Sequence, residues 1–422
     1  MQFIRKCAPW GALTLGVFLA LPAPAQNVIT DWHSVLESAV PGSGRKNVVA
    51  LPYYAYVDIA MYDAVEAIHG RYEPFAVSVH APHGASKDAA AASAAHDVLV
   101  HYLPAQSATF DAALTASLAN IPDGQSKTEG VAVGREVASH WLALRTGDGL
   151  EAPLTYTWGH GPGIWEPVPT FPAPPPNTPP APVGVWMTQF KPFSLQSAGQ
   201  FLSEIPPPPA LTSDLWAANF NLTKAYGALN STVRSAQQTE IGRFWTDDAA
   251  AQYSRAFRGL AVSQKLDTAA AARLAAMYSV AGSDAGTACM NAKYHFAFWR
   301  PYTAIHDADT DGNPKTVPDP NWEPLAVTPG HPEYPANHGC VTAAIMDANT
   351  AFFGTDEIPY SVTSVVTGTT HNFSSFDDVV AEVDNARIFG GMHYRHSVKE
   401  GNRLGRMVTE HMLRQHFRRK DD

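Results

Sequence analysis

Between Gly161 and Pro182, ten of 22 residues are proline, and Pro206 to Pro209 form a second run. Proline fixes φ and donates no backbone hydrogen bond, so these runs can be neither helix nor central strand, and residues 161–210 are taken as one proline-rich connection. They read as a long extended connection. Trp158, Trp165, Phe171 and Trp186 are spaced along it, and these aromatics predict that it packs across the body of the protein. The chain is thereby divided into an N-terminal helical region (26–160) and a C-terminal helical region (211–422), expected to close into one compact unit.

Apolar residues recur at helical spacing on both sides. The pattern predicts helices over Asn47–Gly70, Lys87–Leu103, Ser107–Asn120 and Glu129–Arg145. Beyond the prolines it predicts Leu211–Tyr226, Thr232–Trp245, Ala249–Ser263, Thr268–Ala281 and Ser283–Trp299, with Pro301 as a stop. Asp307–Pro335 reads as a polar loop, followed by helices over His338–Phe353, Phe376–Phe389 and His396–Phe417. Tyr360–Thr370 is the best strand candidate. The fold class is mainly α, a helical bundle wrapped by a proline-rich belt.

Charge narrows the partners. Lys plus Arg total 29 and Asp plus Glu 39, a formal charge of −10. A nucleic-acid backbone wants a basic surface, so nucleic acid is excluded as the main partner. Residues 1–25 carry Arg5 and Lys6, an apolar run from Gly11 to Leu21, and Ala23-Pro24-Ala25. This is the order of a cleaved signal peptide, with the cut after Ala25 and a periplasmic or secreted destination. No later stretch is apolar enough for stable membrane insertion. Cys7 leaves with the leader, and an oxidising compartment permits Cys289 and Cys340 to pair.

The chemistry concentrates after position 290. Lys293 and Arg300 lie seven residues apart; on one continuous helix they share a face, about 10.5 Å apart along the axis. Two cations on an apolar aromatic segment are costly unless they meet an anion. Pro335-Ala336-Asn337-His338 follows a proline-rich loop and opens a helix, where free backbone N–H groups make an anion site. Arg387 and His393 flank Gly390-Gly391, a pair that breaks the helix and lets the two side chains converge. Together these residues make a site for a tetrahedral oxyanion, with guanidinium forks and a lysine point charge.

Lys-x6-Arg-Pro, Pro-x-x-His and Arg-x5-His, in that order, resemble the vanadium-dependent haloperoxidases. That family shares its site and helical-bundle fold with the type 2 phosphatidic acid phosphatases and bacterial acid phosphatases. The wording HPEYPANHG and RIFGGMHYR looks closer to the secreted bacterial haloperoxidase-like branch. The resemblance implies vanadate as cofactor, with phosphate able to occupy the same site. It implies His393 as the axial vanadate ligand and His338 as the acid–base histidine. Lys293, Arg300 and Arg387 would hold the equatorial oxygens, with Ala336 and Asn337 at the helix-start amides. The partners implied are hydrogen peroxide, a halide and a small organic substrate, in a chain that forms a possible homo-oligomer.

Four positions depart from the family pattern. Ala336 stands where serine is usual, Asn337 where glycine is usual, Ala386 where serine precedes the third-motif arginine, and Ser397 where an Asp often follows the ligand histidine. Orientation of His393 must therefore come from elsewhere. Two other readings share the cage: a phosphatase with His393 as nucleophile, and a non-catalytic periplasmic oxyanion-binding protein. If both motifs surround one anion, their helices are neighbours, and a Cys289–Cys340 disulfide is expected. Asp307, Asp309 and Asp311 resemble the start of a calcium loop, but Pro318 replaces its closing glutamate, so a polar turn is expected.

Overall fold

A computed structural model of the chain describes residues 27–168 and 182–420. The leader and the centre of the proline run, Phe171 included, lie outside the described residues. The helices are α1 (Val28–Gly42), α2 (Leu51–His69), α3 (Lys87–Tyr102), α4 (Ser107–Ala119) and α5 (Gln125–Leu144) before the prolines. After them come α6 (Asp214–Gly227), α7 (Ala236–Phe244), α8 (Ala249–Ser263), α9 (Thr268–Phe296), α10 (Pro301–His306) and α11 (Asn337–Phe353). A hairpin of β1 (Tyr360–Thr363) and β2 (Thr370–Phe373) precedes α12 (Phe376–Phe389) and α13 (Arg395–Gln415).

α9 is the axis of the bundle. The sequence predicts two helices here; the structure has one of 29 residues. Gly282 does not break it, because its missing side chain is a packing requirement. A Cβ there would lie 3.0 Å from Ile345 Cδ1 on α11. Ala-rich faces of α9 lie against α2 on one side and α11 on the other, and the two halves of the chain share one hydrophobic core.

The α11–α13 contact is closer still. Cβ atoms at Gly401 and Gly405 would lie 2.5 Å from Ala336 O and 2.2 Å from Cys340 O. Two glycines one turn apart thus let α13 lie on the backbone of α11, next to His338. Gly405→Ala must push two helices apart, and overpacking of this kind costs typically 1–3 kcal/mol. A melting temperature lowered by several degrees is expected. Gly259→Ala, in α8 with nothing within 4 Å, is the control, expected to stabilise by about 0.5–1 kcal/mol through helix propensity. Equal melting temperatures for the two variants would contradict this packing argument.

Cys289 and Cys340 form the expected disulfide, Cα atoms 6.4 Å apart, joining α9 to α11 beside the motif residues of both. The described ends of the proline belt do more than wrap. Trp165 is fully buried, its backbone amide donates to Ala297 O at 2.7 Å, and Trp299 N donates to Gly163 O at 3.1 Å. At the far end Val183 N donates to Gly330 O at 2.8 Å, and Tyr294 Oη donates to Val183 O at 2.6 Å. The belt therefore holds the chain segments on both sides of the predicted site. Among the described residues no helix is long and apolar enough to cross a membrane.

Candidate oxyanion site

α9 ends three residues before the sequence predicts. Ala297 takes a left-handed conformation (φ 46°), and Phe298 bridges to Ile164 in the belt. Arg300 is then the N-cap of α10, with Pro301 as its first residue. So Lys293 and Arg300 do not share a helix face, and Pro301 starts a helix instead of stopping one. They converge because the chain turns back on itself, a turn that the belt holds on its outer side.

All three cations are buried: Lys293 and Arg300 fully, Arg387 to 2% exposure. Lys293 Nζ donates to the carbonyls of Pro332 (2.9 Å) and Glu333 (2.8 Å). Arg300 donates to the carbonyls of His331 and Met392, each at 2.9 Å. It also reaches His331 Nδ1 at 3.0 Å and His393 Nε2 at 3.2 Å. Arg387 donates to Trp245 O at 2.7 Å and touches Met392 Sδ at 3.1 Å, while its Nε has no partner. Among the described residues none of the three forms an ion pair, and the carboxylate beside them, Glu333, pairs with His393 instead.

His393 lies in the turn after Gly391, whose left-handed φ of 72° redirects the chain between α12 and α13. The glycine pair thus breaks the helix as expected. A carboxylate orients the ring: His393 Nδ1 donates to Glu333 Oε1 at 2.8 Å, and the Tyr394 amide donates to the same oxygen at 3.2 Å. A carboxylate only accepts, so the proton sits on Nδ1 and Nε2 presents its lone pair to the cage. The sequence did not single out Glu333 or His331. Both lie in the irregular loop before Pro335, where no periodicity marks a side chain as buried. One signal was present, a lone carboxylate two residues before Pro335 in an otherwise aromatic and proline-rich string.

His338 sits one residue into α11, with Nε2 buried and without a partner. Both side-chain polar atoms of Asn337 are also buried and unpartnered. Ala336 does not join the cage. It is fully buried, its amide donates to Ser397 O at 3.0 Å, and its methyl packs with Ile388 and Val398. Asp311 accepts from Trp216 Nε1 and Thr316 Oγ1, so the expected polar turn is structural. His396 stacks on Tyr334, and His295 meets Phe296 edge-on; neither enters the cage.

Electrostatics follow from burial. Burial and the neighbouring cations hold His338, His393 and His331 well below the ordinary histidine range. Burial, then repulsion by Arg300, lowers Lys293 well below the usual lysine value, with Glu333 opposing. Glu333 is pushed up to about 7 by burial, against the pull of Lys293 and Arg300. Two guanidiniums and the Lys293 ammonium against one carboxylate leave a positive excess in a buried site. Such an excess is costly unless an anion completes it. The free donors on Arg387 and Asn337, with the uncommitted Nε2 of His338, fit a tetrahedral oxyanion.

His331, Asn337, His338, Arg387, Met392 and His393 line one end of a cavity of about 640 Å³. The same cavity is lined by the exposed Lys46 and Arg243.

Residues 273–420 match the model of the VCPO second helical-bundle domain. The vanadium chloroperoxidase of Curvularia inaequalis is 32% identical over a 143-residue alignment, spanning 28% of this chain and 23% of that one. The alignment therefore covers less than a quarter of that relative. The fold resembles the first bacterial vanadium-dependent iodoperoxidase of known structure, with TM-score 0.76 and 21% identity over 94% of this chain and 97% of that one. It also resembles a holo-type bacterial vanadium-dependent chloroperoxidase, with TM-score 0.67 and 16% identity over 87% of this chain and 92% of that one. The two structures speak for the bundle; the domain match spans all three motifs and the helices that carry them. On that ground, with the motif residues gathered around one buried cage, residues 273–420 form a helical-bundle domain of the vanadium chloroperoxidase kind, set in a fold like that of the bacterial vanadium-dependent haloperoxidases.

Proposed function

We propose that the protein is a vanadate-dependent haloperoxidase, which uses hydrogen peroxide to oxidise a halide to a hypohalous acid equivalent. The observation that carries this reading is the cage of cations without ion pairs around a histidine whose Nε2, beside Arg300, is held toward it by Glu333 on the other face of the ring. Lys293, Arg300 and Arg387 would hold the oxyanion's oxygens, and His393 Nε2 would be the ligand to its central atom. Bound there, vanadate supplies a Lewis-acidic centre that activates peroxide toward halide without changing oxidation state.

The chain's own residues do the rest. The guanidiniums stay charged at any physiological pH, so they neutralise the anion permanently. Lys293 keeps one N–H beyond the two given to carbonyls, free to polarise an oxygen. His338 Nε2 is neutral near pH 7 and can take a proton from an incoming reactant and return it. The apolar chamber walls keep bulk water away from the oxidant.

The depressed Lys293 makes anion affinity pH-dependent. Its ammonium is present below its lowered value and lost above it, earlier than in an ordinary lysine. Affinity for tungstate, whose own charge is constant from neutral to alkaline pH, should weaken by up to tenfold per unit as Lys293 deprotonates. Lys293→Met should bind more weakly with a flat profile. Calorimetric titration checks both, and a wild-type affinity constant up to about pH 10 would contradict the burial effect.

Phosphate has the same shape and charge, so the same cage suits phosphomonoester hydrolysis through His393. Purified protein, with and without added vanadate, should therefore be assayed for peroxide-dependent bromide oxidation and for p-nitrophenyl phosphate hydrolysis. Vanadate-dependent bromide oxidation is expected. Hydrolysis without vanadate and without bromide oxidation would overturn the proposal in favour of a phosphatase, and neither activity would favour an oxyanion-binding protein.

A further inference from the structure

The cavity above the cage is far larger than its small reactants need. A water molecule's share of liquid volume is about 30 Å³, so peroxide and a halide fill a small fraction of some 640 Å³. The walls are apolar: Val48, Leu51, Val341, Leu325 and Trp245 line them. Apolar walls of this extent hold water poorly and gain by covering a matching surface.

The mouth has a different character. Lys46 and Arg243 both line the cavity and are both exposed. They lie on either side of the 245–249 segment. Asn47, next to Lys46, accepts from the Ala249 amide through Oδ1, and the Arg243 carbonyl accepts from Thr246 Oγ1. Among the described residues neither cation meets a carboxylate. Asp247, the acidic group in the same wall, is already engaged by Arg255 and by the Val365 amide. The chamber thus presents an oxyanion cage at its floor, apolar walls, and two free positive charges at its entrance.

We infer that this chamber is the binding site for an organic anion with an aromatic or aliphatic body. The body lies along the apolar walls with its reactive end toward His338 and His393. Its acidic group stays at the mouth with Lys46 and Arg243. The inference rests on the reading of the floor as the oxyanion site, and it adds that the second substrate is bound instead of meeting a released oxidant in solution.

The test uses the vanadate-free full chain and two fluorescent probes of one scaffold. These are 8-anilinonaphthalene-1-sulfonate, which is anionic, and N-phenyl-1-naphthylamine, which is neutral. Wild type should bind the anion at least tenfold more tightly. Lys46→Glu with Arg243→Glu should remove that preference while leaving affinity for the neutral probe within about twofold. Val327→Trp, at the exposed mouth, should weaken both probes. Equal wild-type affinities, a preference that survives charge reversal, or binding indifferent to Val327→Trp would overturn the inference. Neither probe reports on halide oxidation, so a failed peroxidase assay and a failed binding experiment remain distinct results.

Discussion

His393→Ala is expected to weaken vanadate binding by at least a hundredfold, about 2.7 kcal/mol or more, and to abolish halide oxidation. The histidine offers the one nitrogen lone pair directed into the cage by a carboxylate on its other face. The three cations, two of them anchored to backbone carbonyls by several bonds, remain in place without it. Phosphate needs the cations but not a ligand to its central atom. The loss should therefore be much smaller for phosphate than for vanadate. Equilibrium dialysis with each anion checks this, and equal losses would mean that His393 contributes only a hydrogen bond.

Glu333→Ala carries the second large effect. Without the acceptor at Nδ1, the His393 ring loses both its tautomer and its orientation. Outer partners of this kind are worth 10–100-fold in ligand affinity, and a loss of that size in vanadate affinity is expected. Glu333→Gln keeps an oxygen that can accept from Nδ1–H, and should recover most of the affinity. A purely structural role would not separate the two variants in this way. Equal loss in Ala and Gln, with equal melting temperatures, would show that the carboxylate charge matters instead of the hydrogen bond.

These two residues differ in how visible they were before the fold was known. His393 is marked by its spacing from Arg387 across a glycine pair, and the physical consequence of that pair, a broken helix, is what the structure has. Glu333 lies in a loop, where neither period nor cap constrains a side chain, and only tertiary contact reveals its partner. Lys293 and Arg300 are buried in one region for a reason that local sequence does not carry. Helical pitch placed them on one face, whereas the left-handed Ala297 and the pairing of Phe298 with Ile164 bring them together. That pairing depends on residues more than 130 positions away, beyond the reach of local pattern.

Most helices were legible because their apolar spacing is regular, and α8 and α12 have the predicted limits. Gly282 misled because a glycine that serves helix packing looks the same in sequence as one that ends a helix. α1 has no counterpart in the sequence reading; it begins at Val28, three residues past the expected cleavage point, and carries Pro41 in its last turn. The strand candidate at Tyr360 proved to be the first arm of a hairpin closed by Thr370–Phe373. Ala336 was placed at the anion by motif position alone, and its amide instead ties α11 to the start of α13.

One oxyanion on His393 is expected to complete the buried cations. The most direct test is calorimetric titration of the protein with vanadate, repeated with phosphate present. One vanadate per chain, displaced by phosphate and lost in a Lys293→Met, Arg387→Met double variant that still melts cooperatively, is the expected result. Absence of saturable binding, or binding that survives removal of both cations, would contradict it.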